Sequence, residues 1–167
     1  LESENLYDFP VVFMHGRRHF RWSPPEREYL TRFLERGGVL FADSICASTE
    51  FTSAFQREIK AVLPDGKWSR IPADHPLFTQ EYGGYDITKV TRRDPQARSE
   101  TDPLRAKLVS VSPFLEGLAI DDRYAVIFSP YDLSCALENT PSLECKGYVT
   151  LDAAKIGINV ILYALQQ

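Results

Sequence analysis

The sequence lacks the basic excess that sequence-independent binding to nucleic acids requires. Its 19 lysines and arginines are outnumbered by 23 aspartates and glutamates, which gives a net charge of −4. Since phosphate contacts need an excess of positive charge, we expect no nucleic-acid partner. Long apolar runs are also missing. The longest candidate, residues 156–165, is interrupted by Gly157 and Asn159 and falls short of the roughly 18 residues that a membrane-spanning helix needs.

Cysteine is scarce: the sequence contains three, Cys46, Cys135 and Cys145. Neither a CxxC pair nor a nearby histidine accompanies Cys135 and Cys145, so metal binding by that pair is disfavoured. These two cysteines flank a polar loop, which predicts either a Cys135–Cys145 disulfide or two reduced thiols. A disulfide would imply an oxidising compartment, and we therefore favour the periplasm or cell envelope over the cytoplasm.

The length and composition are typical of one soluble domain. The chain has 167 residues, of which 44% are hydrophobic and 25% are charged. It opens on a polar segment that has neither an initiator methionine nor the pattern of a signal peptide. We therefore expect residues 1–167 to form a single α/β domain that is part of a longer protein.

Two predicted strands end in side chains that suit a ligand site. Residues 10–15 form a continuous apolar run typical of a strand buried on both faces, and residues 39–42 form a second. Between them, Ser23 is the predicted N-cap of a helix, because Glu26 completes a capping box with it. His15 and Asp43 stand where the strands end, which is the edge at which parallel α/β sheets hold ligands.

Later segments continue the alternation of strands and helices. Two apolar runs around Asp121-Asp122-Arg123 predict a hairpin. The polar segment 80–104 is predicted to be a long surface excursion. Further predictions are a helix over residues 50–63, a short strand over residues 67–71, and a terminal helix over residues 151–165. The terminal helix is apolar nearly all round, so we expect it to be largely buried, with Asn159 as a buried amide bonded to backbone.

The β-α-β-α order of the first half is typical of right-handed parallel crossover units. We therefore expect an α/β fold of three layers. Its sheet would be mostly parallel and flavodoxin-like, with helices on both faces.

The order of motifs along residues 6–165 resembles a known family. The motifs are His15-Gly16 at a strand end, Gly-Gly-Val-Leu-Phe-Ala-Asp at 37–43, Asp-His-Pro-Leu-Phe at 74–78, Phe-Ser-Pro-Tyr-Asp at 128–132 and Gly-Ile-Asn-Val-Ile-Leu-Tyr-Ala-Leu at 157–165. They resemble the bacterial domain-of-unknown-function family numbered 4159. That family is grouped with the class I glutamine-amidotransferase-like α/β fold, so the resemblance implies this fold.

Two departures limit what the resemblance implies. Family members usually carry a strand and a helix ahead of the first strand seen here, and this chain lacks them. Amidotransferases also use a cysteine on a Gly-x-Cys-x-Gly turn and a late histidine, whereas His15, His19 and His75 all lie in the first half of this sequence. The resemblance therefore implies the fold and does not carry over glutaminase chemistry.

Four residues near the two strand ends are candidates for catalysis. A carboxylate such as Asp43 beside His15 would orient the imidazole and raise its pKa, which suits a general base. Ser44 or Cys46 would then serve as the nucleophile. The alternative interpretation is structural: Asp43 caps the following loop, His15 lies on the rim, and Cys46 is a small buried residue.

The ligand crevice is expected to include Gly16, Tyr131 and Asp132, because these residues also follow predicted strand ends. A metal site at His15 and His19 is disfavoured, since the loop between them does not align the two imidazoles as a helix would. We expect no metal ion and no other cofactor.

A complete set of nucleophile, base and orienting group cannot be assembled from the sequence. We therefore favour a non-catalytic binding or assembly module of a larger cell-envelope protein. Its partner would be a small ligand or a protein segment held in the strand-end crevice. The alternative is a hydrolase or amidase that uses His15 and Asp43 with Ser44 or Cys46.

Overall fold

Two β-sheets form the framework of the protein in a computed structural model, which describes residues 4–97, 103–140 and 142–167. The strands are β1 (Val11–Gly16), β2 (Val39–Ser44), β3 (Trp68–Arg70), β4 (Val90–Pro95), β5 (Ala106–Val111), β6 (Glu116–Ile120), β7 (Arg123–Ser129) and β8 (Gly147–Tyr148). The α-helices are α1 (Pro24–Glu35), α2 (Thr49–Val62), α3 (Ser134–Leu137) and α4 (Thr150–Ala164). The first sheet has the strand order β1-β2-β7-β6-β3, and the second has the order β5-β4-β8.

The first sheet is mixed, with parallel and antiparallel strands. β1, β2 and β7 run parallel to one another, whereas β6 is antiparallel to β7 and β3 is antiparallel to β6. The expectation of a three-layer sandwich with a mostly parallel, flavodoxin-like sheet is therefore wrong. The hairpin predicted around residues 121–123 explains the difference. It forms with Asp121 at φ 53°, and strands joined by so short a turn must be antiparallel.

The second sheet begins inside the segment that was expected to be a surface excursion. β4 pairs antiparallel with β5 along its length and with β8 at Arg92 and Arg93. Half of the residues of β4 are charged. The strand therefore has no apolar run by which it could be predicted. Residues 98–102 of the expected excursion lie outside the described residues.

Helix α1 begins as its sequence predicts. The Ser23 side chain accepts a hydrogen bond from the Glu26 N–H, and the Glu26 carboxylate accepts one from the Ser23 N–H. This reciprocal pair is the capping box, and it confirms the predicted start of the helix. The Gly37 backbone that follows α1 has φ 103°, a left-handed conformation that favours glycine and directs the chain into β2.

Strand β2 lies between two apolar cores, and all of its residues are buried. Val39 and Phe41 contribute to a core that also contains residues of α4. Leu40 and Ala42 contribute to a second core with residues of α1 and α2. Successive side chains of a strand point to opposite faces, so β2 contributes to both cores.

Helix α4 is only partly buried, in contrast to the expectation that it would be largely covered. Ala153, Ile156 and Val160 are fully buried on its inner face. Asn159 confirms its predicted role, because its side-chain amide donates to the carbonyl oxygens of Leu77 and Tyr85. Across residues 4–97, 103–140 and 142–167, none of the helices combines the length and apolar character needed to cross a bilayer.

A buried carboxylate joins α1, α2 and the loop before α1. Glu58 of α2 is 2% exposed and accepts hydrogen bonds from the Trp22 N–H and from the guanidinium groups of Arg27 and Arg57. Burial raises the pKa of Glu58, but the hydrogen bonds from Arg27 and Trp22 outweigh burial and hold the pKa below 4.5. The ionised form is therefore the one that stabilises the fold.

We expect Glu58→Gln to lower the free energy of unfolding by roughly 2 kcal/mol at pH 7, because the charge-assisted hydrogen bonds are lost. Since the folded pKa of Glu58 is depressed, the difference should shrink as the pH falls through that pKa. Urea unfolding at several pH values measures it. Glu28→Gln removes an exposed ion pair with Arg32 and should have little effect. Equal losses in the two variants would contradict the assignment.

Candidate functional site

The carboxyl ends of β1, β2 and β7 meet at one edge of the first sheet. His15 pairs with Asp43 across β1 and β2, and Asp43 pairs with Ser129 across β2 and β7. The prediction that the His15 and Asp43 strands are neighbours is therefore confirmed. Asp43 is fully buried at this edge.

The Asp43 carboxylate holds the start of α3. Its Oδ2 accepts hydrogen bonds from the Leu133 N–H at 2.9 Å, the Ser134 N–H at 3.2 Å and the Ser134 hydroxyl at 3.1 Å. Its Oδ1 is buried and has no hydrogen-bond partner within the described part of the chain. Burial raises the pKa of Asp43 to about 6, and the charge of Asp132 raises it further, although the hydrogen bonds to α3 oppose the rise.

Asp132 connects two other parts of the site. It is 1% exposed and accepts hydrogen bonds from the Cys46 N–H at 2.5 Å and the Cys135 N–H at 2.9 Å. Cys46 lies in the turn between β2 and α2, where Cys46 and Ala47 have φ values of 53° and 56°. Such left-handed backbone is unfavourable for side-chain-bearing residues. The contact with Asp132 helps to stabilise this turn.

The three cysteines come together beside Asp132. Cys46 and Cys145 form a disulfide-bonded pair with a Cα–Cα distance of 4.1 Å, and Cys135 is a free thiol. The predicted Cys135–Cys145 pairing is therefore corrected. The first turn of α3 directs Cys135 to Asp132, and the loop before β8 brings Cys145 to the Cys46 turn. The sulfurs of Cys46 and Cys135 and a carboxylate oxygen of Asp132 all lie within 4.8 Å of one another.

Cys135 is a weak nucleophile in this setting. Burial raises the pKa of its thiol to about 12, with further contributions from its hydrogen bond to Asp132 and from the charges of Asp132 and Asp43. A thiol with so high a pKa is protonated at neutral pH, and the thiolate is the reactive form. The cluster therefore does not present an activated cysteine.

The predicted base, His15, and the predicted hydroxyl nucleophile, Ser44, lie in different environments. His15 is exposed, and its ring stacks on Phe13 at a centroid distance of 5.7 Å. The buried Ser44 hydroxyl donates to the Ser48 carbonyl oxygen at 2.8 Å. No hydrogen bond joins His15 to Asp43, Ser44 or Cys46 among the residues that the structure describes.

The remaining crevice candidates pack against neighbouring side chains. Gly16 lies against the Phe51 ring, which a side chain at position 16 would overlap. The Tyr131 ring contacts two cations, with the Arg92 guanidinium 4.6 Å and the Lys146 ammonium 4.8 Å from its centroid. A cavity of about 530 Å³ lies near the start of β1 and the end of α4, where Phe9 and Leu165 line it.

The outer face of α4 is an exposed apolar surface, which we call the α4 stripe. Its large side chains are Leu151, Ile158, Ile161 and Leu165, which are 66%, 40%, 45% and 60% exposed. Leu151, Ile158 and Leu165 are spaced seven residues apart, as in one seam of a coiled coil. A side chain at Gly157 would meet no atom within 4 Å, so the helix surface beside the stripe is open there.

A comparison with known protein families matches most of the chain to one family. The model of a family described as "Domain of unknown function (DUF4159)" matches residues 1–165. A search of curated proteins gives no match.

Proposed function

The chain belongs to the DUF4159 family of domains of unknown function, and from this premise we propose that it is a non-catalytic assembly module in which the α4 stripe joins two copies of the chain. The observation that carries the proposal is the exposure of large apolar side chains along the whole length of α4. Scattered apolar residues are normal on a protein surface, but a continuous row of them favours an interface.

The spacing of the α4 stripe suits a second copy of the same helix. Ile158 lies midway between Leu151 and Leu165 in the sequence. A two-fold axis beside Ile158 would therefore set Leu151 of one copy opposite Leu165 of the other, so the surface is complementary to itself. The open space at Gly157 would let the two helices approach closely.

Charge does not oppose this packing. The charged residues of α4 are Asp152 and Lys155. Asp152 accepts a hydrogen bond from the Thr91 N–H at 2.6 Å, and the Lys155 ammonium lies 3.8 Å from the Asp152 carboxylate. Both side chains are thus engaged within their own chain, and Lys155 is next to Leu151 and Ile158 on the helix face.

The candidates for catalysis have structural contacts that support a non-catalytic role. Asp43 bonds to the first residues of α3, Ser44 bonds to the Ser48 carbonyl, and Cys46 is paired with Cys145. The same disulfide pair supports a location outside the cytoplasm, because such bonds persist in oxidising compartments. We therefore propose that the module belongs to a larger cell-envelope protein.

Ile158→Glu should weaken self-association of the chain by at least about tenfold, because it places a charge at the centre of an apolar contact. Sedimentation velocity over a range of protein concentrations measures the monomer–dimer equilibrium. Ser53→Glu on the exposed side of α2 adds the same charge elsewhere and should leave the equilibrium unchanged. A wild-type chain that is monomeric at all concentrations would overturn the proposal, as would dimerisation of Ile158→Glu with wild-type affinity.

A further inference from the structure

Four electron-rich side chains converge from three separate parts of the chain. Cys46 comes from the turn after β2, Asp132 and Cys135 flank the start of α3, and Cys145 comes from the loop before β8. Sulfur and oxygen atoms of Cys46, Asp132 and Cys135 lie within 4.8 Å of one another, and the Cys145 sulfur is bonded to that of Cys46. This is the separation at which side chains can share one metal ion.

The same region holds two buried carboxylates, and the buried Arg93 guanidinium reaches it without an ion pair to either. Asp43 and Asp132 are 0% and 1% exposed, and neither forms an ion pair with a lysine or arginine in the ranges 4–97, 103–140 and 142–167. The Arg93 guanidinium binds a backbone group in this region: its Nε donates to the Cys145 carbonyl oxygen at 3.2 Å. The buried Asp43 Oδ1 has no partner within the described residues. A bound cation would offset this charge.

The cysteine sulfurs and the Asp132 carboxylate, as metal ligands, determine which cation is favoured. Thiolates are soft ligands that favour Zn²⁺ over Mg²⁺ or Ca²⁺, and zinc prefers four ligands in a tetrahedron. We propose that the chain with reduced cysteines binds one Zn²⁺ ion through Cys46, Cys135, Cys145 and Asp132.

Zinc binding and the disulfide exclude each other, because Cys46 and Cys145 supply both. In a newly made chain whose cysteines are still thiols, no reductant is needed. Zn²⁺ displaces the thiol protons to water and forms zinc–sulfur bonds without a change in its oxidation state. In the oxidised chain the disulfide must first be reduced. A phosphine does so by taking oxygen from water to become the phosphine oxide, while each sulfur gains one electron and one proton.

The test is a metal titration of the full chain, treated with a chelator and reduced with a phosphine. We expect one Co²⁺ per chain, with the visible absorption bands of a tetrahedral thiolate site, and displacement of that Co²⁺ by Zn²⁺. The oxidised chain should show no such bands. Absence of these bands in the reduced wild-type chain would overturn the proposal.

Variants identify the ligands. Cys135→Ser should weaken Zn²⁺ binding by more than about tenfold, since loss even of a group that only supports a metal ligand has an effect of that size. Cys145→Ser should do the same, and circular dichroism establishes that both variants are folded. His19→Ala removes an exposed imidazole and should leave the affinity unchanged. Wild-type affinity in both serine variants, or a loss of binding in His19→Ala, would overturn the assignment.

Discussion

Replacing both Cys46 and Cys145 with serine should lower the free energy of unfolding by about 4–5 kcal/mol. The two cysteines are 99 residues apart, so their bond closes a loop that covers more than half of the chain. Closing so long a loop removes much of the entropy of the unfolded state. Urea unfolding of oxidised wild type and of the double variant, both in the presence of a chelator, measures the difference.

The matched control is Cys135→Ser, which leaves the disulfide in place. Its free energy of unfolding should change by less than about 1 kcal/mol, as for most substitutions that remove no network or large volume. Phosphine-reduced wild type should unfold with the double variant, because it too lacks the cross-link. A double variant as stable as oxidised wild type would show that the pair does not restrict the unfolded chain.

The elements with strong local signals could be predicted from the sequence. The capping box at Ser23 and the buried run of β2 are set by neighbouring residues, and they form where expected. Strand β1 also forms, but the expectation that it is buried on both faces is wrong, because β1 lies at the edge of the sheet and Phe13 is exposed. The pairing of His15 with Asp43 follows from the parallel crossover between those strands. These features depend on short stretches of chain, which is why periodicity and capping residues reveal them.

The relative directions of the strands in the first sheet could not be predicted, because they depend on pairing between strands that are far apart in the sequence. The strand predicted over residues 67–71 forms as β3, Trp68–Arg70. Nothing in its side chains shows that it pairs antiparallel with β6. Strand β4 is rich in charge, and its Arg92 pairs with Asp94 two residues further along the same strand. Local hydrophobicity therefore indicated a loop where the fold has a strand.

The cysteine pairing shows the same limit. Cys135 and Cys145 are close in sequence, and that closeness suggested their bond. The structure instead pairs residues 99 positions apart. One signal in the sequence did point to the cluster: Cys46 and Asp132 both follow strands that end at the same sheet edge, so the topology brings them together.

Helix α4 shows what composition alone leaves open. A helix that is apolar nearly all round is expected to be buried in a single domain. Here the sheet covers one side, and the α4 stripe remains exposed. The exposed apolar side chains therefore favour a contact between α4 and another chain, in addition to the contact of α4 with the core of its own domain. This is the basis of the assembly proposal.

Asp43 gives the sharpest test of the buried carboxylates, because its charge opposes folding. The folded pKa of Asp43 is raised from 3.8 to about 6, so the folded chain retains a proton that the unfolded chain has released. Stability should therefore fall as the pH rises from 3.8 to 6 and then level off. Asp132 adds to this effect through its charge. The hydrogen bonds to α3 limit it, since they favour the ionised carboxylate.

Asp43→Asn should remove this pH dependence while it keeps an acceptor oxygen for the start of α3. The free energy of unfolding of wild type minus that of the variant should fall by roughly 2 kcal/mol between pH 4 and pH 7. This is less than the full pKa rise expressed as free energy, because the carboxyl group of the unfolded chain is already more than half ionised at pH 4. The constant cost of placing an amide at this position cancels from the change. Urea unfolding of both oxidised chains, with chelator at every pH, measures it. A difference that stays constant across that range would mean that Asp43 is buried without an electrostatic cost, and that nearby groups already compensate its charge.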